Sequence, residues 1–179
     1  MPAFMIYYIH GYLSEPNSTK GTLFKEKLGV KPIKYRDCPP EELIISDCIN
    51  NIKKEIGNDE NVVLIGSSLG GFLAAETALI HPVKKLILLN PAIIPISIDI
   101  KKIQGMPQEI LKDMQDPKLF EKMNSEIYVL IGTEDDVVPN NWPIEFAKAQ
   151  EATIHFLKED HSFSKDLNKL TDVIKQLIS

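Results

Sequence analysis

Residues 63–72 read VLIGSSLGGF: an apolar run, then two serines hemmed in by glycines. Val62–Gly66 is short and apolar, as a strand buried on both faces should be. Ser68–Ile80 is rich in Ala and Leu, both good helix formers. The chain must therefore turn from strand to helix within about one residue. Such a turn strains the residue at its tip and crowds the positions two before and two after it. Glycine at those positions removes the side chains that would clash. Ser68 has Gly66 and Gly70 there, whereas a frame centred on Ser67 would need glycine at Ile65 and Leu69. Ser68 is thus the candidate nucleophile of a G-x-S-x-G elbow, with its hydroxyl beside the positive end of the next helix. A tight packing turn with a capping serine is the plainer alternative. GSSLGG matches neither G-x-x-x-x-G-K-[ST] nor G-x-G-x-x-G.

The same alternation of apolar runs and amphipathic segments extends along the whole chain. Strands are predicted at Met5–His10, Ile33–Arg36, Val62–Gly66, Lys85–Asn90, Glu126–Gly132 and Thr153–Leu157. Helices are predicted at Thr19–Leu28, capped by Asn17-Ser18 and stopped by Gly29, and at Glu41–Ile56, opened by Pro39-Pro40. Others are expected over Ser68–Ile80, Pro107–Gln115, Pro143–Ala149 and Phe163–Ile178. Strands alternating with helices imply a three-layer α/β sandwich, a mainly parallel sheet covered by helices on both sides. Residues 1–179 are expected to form one domain. Residues 91–125 take more chain than a crossover helix needs and carry five Pro or Gly breaks at 91, 95, 105, 107 and 117; they predict a small lid or pocket wall.

An elbow serine requires a base and an orienting acid, in the chain order Ser, Asp or Glu, His. Three histidines follow Ser68. His81 ends the elbow helix before Pro82, where a C-terminal cation suits the helix dipole. His155 lies inside TIHFL (153–157) as a strand residue. His161, in KEDHS (158–162), falls just past the last strand, where the active-site loops of open parallel sheets sit. His161 is the candidate base. The acid should come from the loop after the fifth strand, GTEDDVVP (132–139), whose run of three carboxylates could equally be a solvated turn. The oxyanion would be held by the N–H of Leu69, which follows the nucleophile, and by that of Tyr12 in the His-Gly-Tyr loop after the first strand. His10 is read as bracing that loop. Leu13, Ile93, Ile94, Ile96 and Phe163 are candidates for an acyl pocket, with ordinary core as their alternative role.

Composition excludes other classes. A net charge of −5, with the dense basic spots limited to the pairs Lys53-Lys54, Lys84-Lys85 and Lys101-Lys102, argues against nucleic acid as a partner. Cys38 and Cys48 fit no zinc spacing, and no metal or cofactor is implied. MPAFMIYYIHGY has no basic lead, and no stretch approaches the roughly 20 apolar residues of a membrane span. A cytoplasmic protein, monomer or homodimer, acting on a small molecule and not at a membrane is expected.

YIHGY (8–12), GSSLGG (66–71), LLNPA (88–92), GTEDDVVP (132–139) and DHSF (160–163) together resemble the α/β-hydrolase superfamily, essentially end to end. With LSEPNSTK (13–20) directly behind the first strand, the chain looks like the small YqiA-type esterases. The resemblance implies strand order 2-1-3-4-5-6 and a minimal cap. The chain would then begin at the third strand of the full eight-stranded fold. The superfamily's G-x-x-D-x-x-V-P pattern falls on Asp135 as the acid, with Asp136 as fallback, and agrees with Ser68 and His161. The implied activity is cleavage of an acyl ester, short-chain by preference, through a Ser-His-Asp triad and an acyl-enzyme. The same machinery also serves thioesterases, amidases and C–C hydrolases. A binding or regulatory module on this scaffold is the other class; it would tolerate loss of the nucleophile, base or oxyanion glycine, all of which are present.

Overall fold

The computed structural model describes residues 4–179. Six strands, β1 (Met5–Ile9), β2 (Lys31–Pro32), β3 (Val62–Ser67), β4 (Lys85–Leu89), β5 (Glu126–Gly132) and β6 (Thr153–Leu157), form one sheet in the order β2-β1-β3-β4-β5-β6. Every pairing is parallel. Parallel strands need helical crossovers, and the helices cover both faces. The helices are α1 (Thr19–Leu28), α2 (Ile45–Ile56), α3 (Leu69–Ile80), α4 (Gln108–Met114), α5 (Asn141–Gln150) and α6 (Leu167–Ile178).

Alternate residues of the central strands feed two cores. Leu64, Leu86, Leu88 and Val129 pack on one face with Ile52 of α2, Phe72 of α3 and Phe146 of α5. Val63, Ile65, Ile87 and Leu130 pack on the other with Phe24 of α1 and Leu170 and Ile174 of α6. β3 is buried at all six positions, which explains its continuous apolar run. Burying a Leu or Ile side chain contributes roughly 1.5–3 kcal/mol, so both layers stabilise the sheet.

Four elements differ from expectation by two residues or more, the others by at most one. The second strand lies at Lys31–Pro32 rather than Ile33–Arg36. The Ile33 N–H still reaches the Tyr8 carbonyl, but the chain then leaves the sheet. There the Tyr35 hydroxyl donates to the His10 and Gly11 carbonyls, and the Arg36 guanidinium donates to those of Cys38, Tyr12 and Ser14. The helix expected from Glu41 is a short 3-10 turn at Pro40–Glu42, then extended Leu43 and Ile44, then α2. Leu43 turns inward to bury its side chain, and this interrupts the helix. α5 starts two residues early, because Pro143 sits in its first turn, where a missing N–H costs nothing. α6 starts at Leu167, not Phe163: Phe163 has φ 53°, and Asp166 caps the helix through the Lys169 N–H.

Among the described residues, no helix is long and apolar enough to cross a membrane. Cys38 and Cys48 are free thiols.

One carboxyl sits awkwardly. Glu76 of α3 is pushed up to about 8, first by burial and then by Asp116, whose carboxylate it meets. The unfolded chain would release this proton near the ordinary value of 4.5, so the folded chain binds more protons in between. Stability must then fall as pH rises through that window. Glu76→Gln removes this titration: its melting temperature relative to wild type should rise from pH 5 to pH 8. A difference that stays constant across that range would show that Glu76 ionises as it does in the unfolded chain.

Candidate active site

The turn between β3 and α3 is as tight as the glycines suggest. Ser68 alone bridges the two elements, with φ 55° and ψ −119°, a conformation that L-residues rarely adopt. It is held there from several sides. The Ser68 N–H donates to the Leu89 carbonyl at 3.0 Å, and the Ser68 carbonyl accepts from Ala92 at 2.9 Å and Gly71 at 2.9 Å. A β-carbon on Gly66 would lie 2.4 Å from the Gly70 carbonyl oxygen, and one on Gly70 only 2.0 Å from that of Ile9. Backbone cannot yield such distances, so both positions require glycine.

His161 and the acid loop come together at the carboxyl ends of β5 and β6. His161 Nδ1 lies 2.9 Å from Asp135 Oδ2. The other oxygen, Asp135 Oδ1, accepts the N–H groups of Val137 at 2.8 Å and Val138 at 3.0 Å, and the Asp135 side chain is 1% exposed. A carboxylate held in this way fixes the ring and leaves Nε2 free to act. Asp136, the fallback, is exposed, and Glu134 pairs with Lys165.

Ser68 and His161 line one cavity of about 800 Å³, together with Gly11, Tyr12, Leu13 and Ile94. Leu69 opens α3, so its N–H has no partner within the helix. Tyr12 follows Gly11, whose Cα lies against the elbow: a β-carbon there would be 3.5 Å from both the Ser67 carbonyl oxygen and Ser68 Cβ. Ile103, Met106, Leu111 and Met114 of residues 91–125 close the far side.

Not every candidate reaches this cavity. Ile93 and Phe163 are fully buried in the two cores and do not line it, and half-exposed Ile96 does not line it either. The other histidines have separate roles. His10 is 2% exposed, stacks on Tyr35 at 4.3 Å and donates from Nδ1 to the Gly11 carbonyl. Burial lowers its pKa to about 4, so it braces the loop as a neutral ring. His81 bonds the Asp59 carbonyl through Nε2, and His155 stays in β6 beside Tyr128. Among the described residues, no cluster of three His, Cys, Asp or Glu side chains could hold a metal ion.

Two residues not singled out by sequence organise the site. Asn90, at the end of β4 with φ 43°, accepts the Gly132 N–H at 2.7 Å and donates to the carbonyls of Asp160 and His161 at 3.2 and 3.0 Å. It thus joins the acid loop to the histidine loop. Lys20 Nζ donates to Ser67 Oγ at 3.1 Å and to the Ser162 carbonyl at 3.0 Å, next to the elbow serine and next to the histidine.

This arrangement, a parallel sheet with a strained serine at its elbow and a His–Asp pair beyond the last strands, is the α/β-hydrolase fold. The chain belongs to the uncharacterised protein family UPF0227, whose model matches residues 5–178. No curated protein matches it in sequence. Among solved structures it is similar to Est1E from Butyrivibrio proteoclasticus with ferulic acid bound (TM-score 0.79, 16% identity, covering 98% of this chain and 88% of that one). It is also similar to alpha/beta hydrolase domain-containing protein 10 from mouse (TM-score 0.73, 21% identity, 97% and 88% covered). A third is the esterase domain of a Rhodothermus marinus protein (TM-score 0.71, 16% identity, 98% and 85% covered). At these identities the likeness is one of fold.

Replacing Asn90 with Leu would strand the buried Gly132 N–H and two loop carbonyls, and would put a branched side chain at positive φ. A loss of about 2–4 kcal/mol in urea-denaturation stability is expected. Amide exchange should accelerate in residues 132–138 and 159–163 ahead of the rest. A midpoint within error of wild type would show that these bonds contribute nothing.

Proposed function

We propose that the protein is a serine hydrolase that cleaves a carboxylic ester of a small acyl group. The observation that carries this reading is the convergence on one cavity of a strained elbow serine and a histidine paired with a buried carboxylate. Ser68 Oγ attacks the acyl carbonyl carbon while its proton passes to His161 Nε2, and Asp135 stabilises the imidazolium that forms. The N–H groups of Leu69 and Tyr12 donate to the developing oxyanion. Collapse breaks the ester C–O bond, and His161 returns the proton to the departing alcohol. Water then attacks the acyl-serine carbonyl, giving a proton to His161; the acid leaves and Ser68 Oγ recovers that proton.

Leu13 and Ile94 supply the apolar contacts of the acyl group. We read residues 91–125 as a fixed pocket wall rather than a moving lid. Gln115 Nε2 donates to the Pro95 and Ile98 carbonyls, and buried Gln150 donates to those of Leu119 and Glu121 while accepting the Met123 N–H. Both ends of the segment are thereby pinned. Exposed Leu13 and Val137 at the cavity leave it open to small esters. The two free thiols suit a cytoplasmic setting.

A fluorophosphonate probe and p-nitrophenyl esters from acetate to octanoate test the reading. Wild type should label and turn over best on short chains, and Ser68→Ala should do neither. His161→Ala should lose roughly 10³-fold or more in kcat with folding intact. Asp135→Asn should be far more damaging than Asp136→Asn. An unlabelled wild type, inert on every ester, would leave a binding module as the better account.

A further inference from the structure

The cavity beside Ser68 has an unusual charge pattern. It contains one cationic side chain, Lys20, and no Asp or Glu among the residues that line it. This is notable in a chain of net charge −5. Lys20 reaches the cavity from the first turn of α1, half-buried, and burial lowers its pKa to about 8. Desolvating an ammonium is costly unless a counter-charge compensates. Among the described residues it makes no ion pair. Asp160 and Glu159 are near enough to favour its charge, yet both carboxylates are committed elsewhere. Asp160 accepts the Ser164 N–H and hydroxyl, and Glu159 accepts the N–H groups of Lys165 and Asp166. The ammonium has three N–H bonds. Ser67 Oγ and the Ser162 carbonyl take two, both neutral acceptors flanking the catalytic pair.

We propose that Lys20 is a specificity residue: the third N–H and the unpaired charge receive an anionic group, carboxylate or phosphate, carried by the ester substrate. The inference rests on the hydrolase reading and adds the class of ester. A neutral acyl ester would leave the third N–H of the half-buried ammonium without a protein acceptor and its charge offset only at a distance by Asp160 and Glu159, whereas an anionic one would form a charge-assisted hydrogen bond in a partly desolvated site. Selectivity then comes from this one contact, set next to the nucleophile by the same bonds that tie Lys20 to Ser67 and Ser162.

Two matched pairs of esters separate charge from shape: p-nitrophenyl butyrate against mono-p-nitrophenyl glutarate, charged on the acyl side, and phenyl acetate against 3-acetoxybenzoate, charged on the alcohol side. In at least one pair, kcat/KM for the anionic ester should exceed that of its neutral partner by about tenfold or more. That ratio should collapse in Lys20→Met and persist in Lys20→Arg. Competition by glutarate or inorganic phosphate at fixed ionic strength then tells which anion is preferred. Turnover at parity in both pairs overturns this inference alone, as does a ratio that Lys20→Met leaves unchanged, which would make Lys20 only a tether between the two loops. No turnover of any ester, with no fluorophosphonate labelling, overturns the hydrolase reading and this inference with it.

Discussion

The structure depends on one close approach. Where β3 becomes α3, the helix start passes so near β1 that the Gly70 Cα points its missing side chain at the Ile9 and His10 carbonyls. This contact allows a single residue, Ser68, to make the whole turn, and it forces that residue to positive φ. The strain of such a residue costs of order 1–3 kcal/mol and persists only when its surroundings over-determine it. Here they do: Leu89 and Ala92 bind the Ser68 backbone from the β4 side, while the helix carries its carbonyl on. The same approach brings Gly11 and Tyr12 against the elbow.

The remaining parts are assembled by polar side chains that cross between loops. All six strands are parallel, so the loops after β1, β3, β5 and β6 emerge at one end of the sheet, where ligands of such folds bind. Nothing in the sheet fixes the distances between those loops. Asn90 does so for the acid and histidine loops, through three bonds to main chain that it can make because Asn tolerates the left-handed region. Lys20 does so for the elbow and the histidine loop. One tie is neutral and buried; the other carries a charge and faces the cavity.

How far the sequence could be read follows from which forces are local. Sheet membership was legible because strands buried on both faces must be apolar throughout, and the elbow was legible because glycine at fixed offsets records a steric demand. The ends of elements were less so. Ile33–Arg36 has the alternation of a strand, with Ile33 and Tyr35 buried, yet beyond Ile33 the Tyr35 and Arg36 side chains bond to carbonyls of the loop after β1, more than 20 residues back. The sequence pattern places Phe163 both at the start of the last helix and in the pocket. Its left-handed backbone removes it from the one and its complete burial from the other. Ile93 and Ile94 are adjacent and identical in composition, yet only Ile94 lines the cavity. The roles of Asn90 and Lys20 were invisible because their partners lie 42 to 142 residues away, and only the tertiary fold brings them together.

Three of the four histidines show why environment, rather than residue type, selects the candidate base. His10, His81 and His155 each meet a carbonyl or an aromatic ring, and burial holds His10 neutral well below physiological pH. Only His161 meets a carboxylate, and that carboxylate has its second oxygen tied down by two N–H groups. A free carboxylate beside His161 could swing to solvent; Asp135 cannot do so without stranding the Val137 and Val138 N–H groups. The orientation of the imidazole is therefore set by the backbone of the β5 loop, two steps removed from the ring. The turn that follows Gly132 fixes that loop in place, and Asn90 holds the Gly132 N–H. Rigidity is passed along a chain of bonds from the end of β4 to Nδ1, leaving Nε2 as the unconstrained nitrogen on the cavity side.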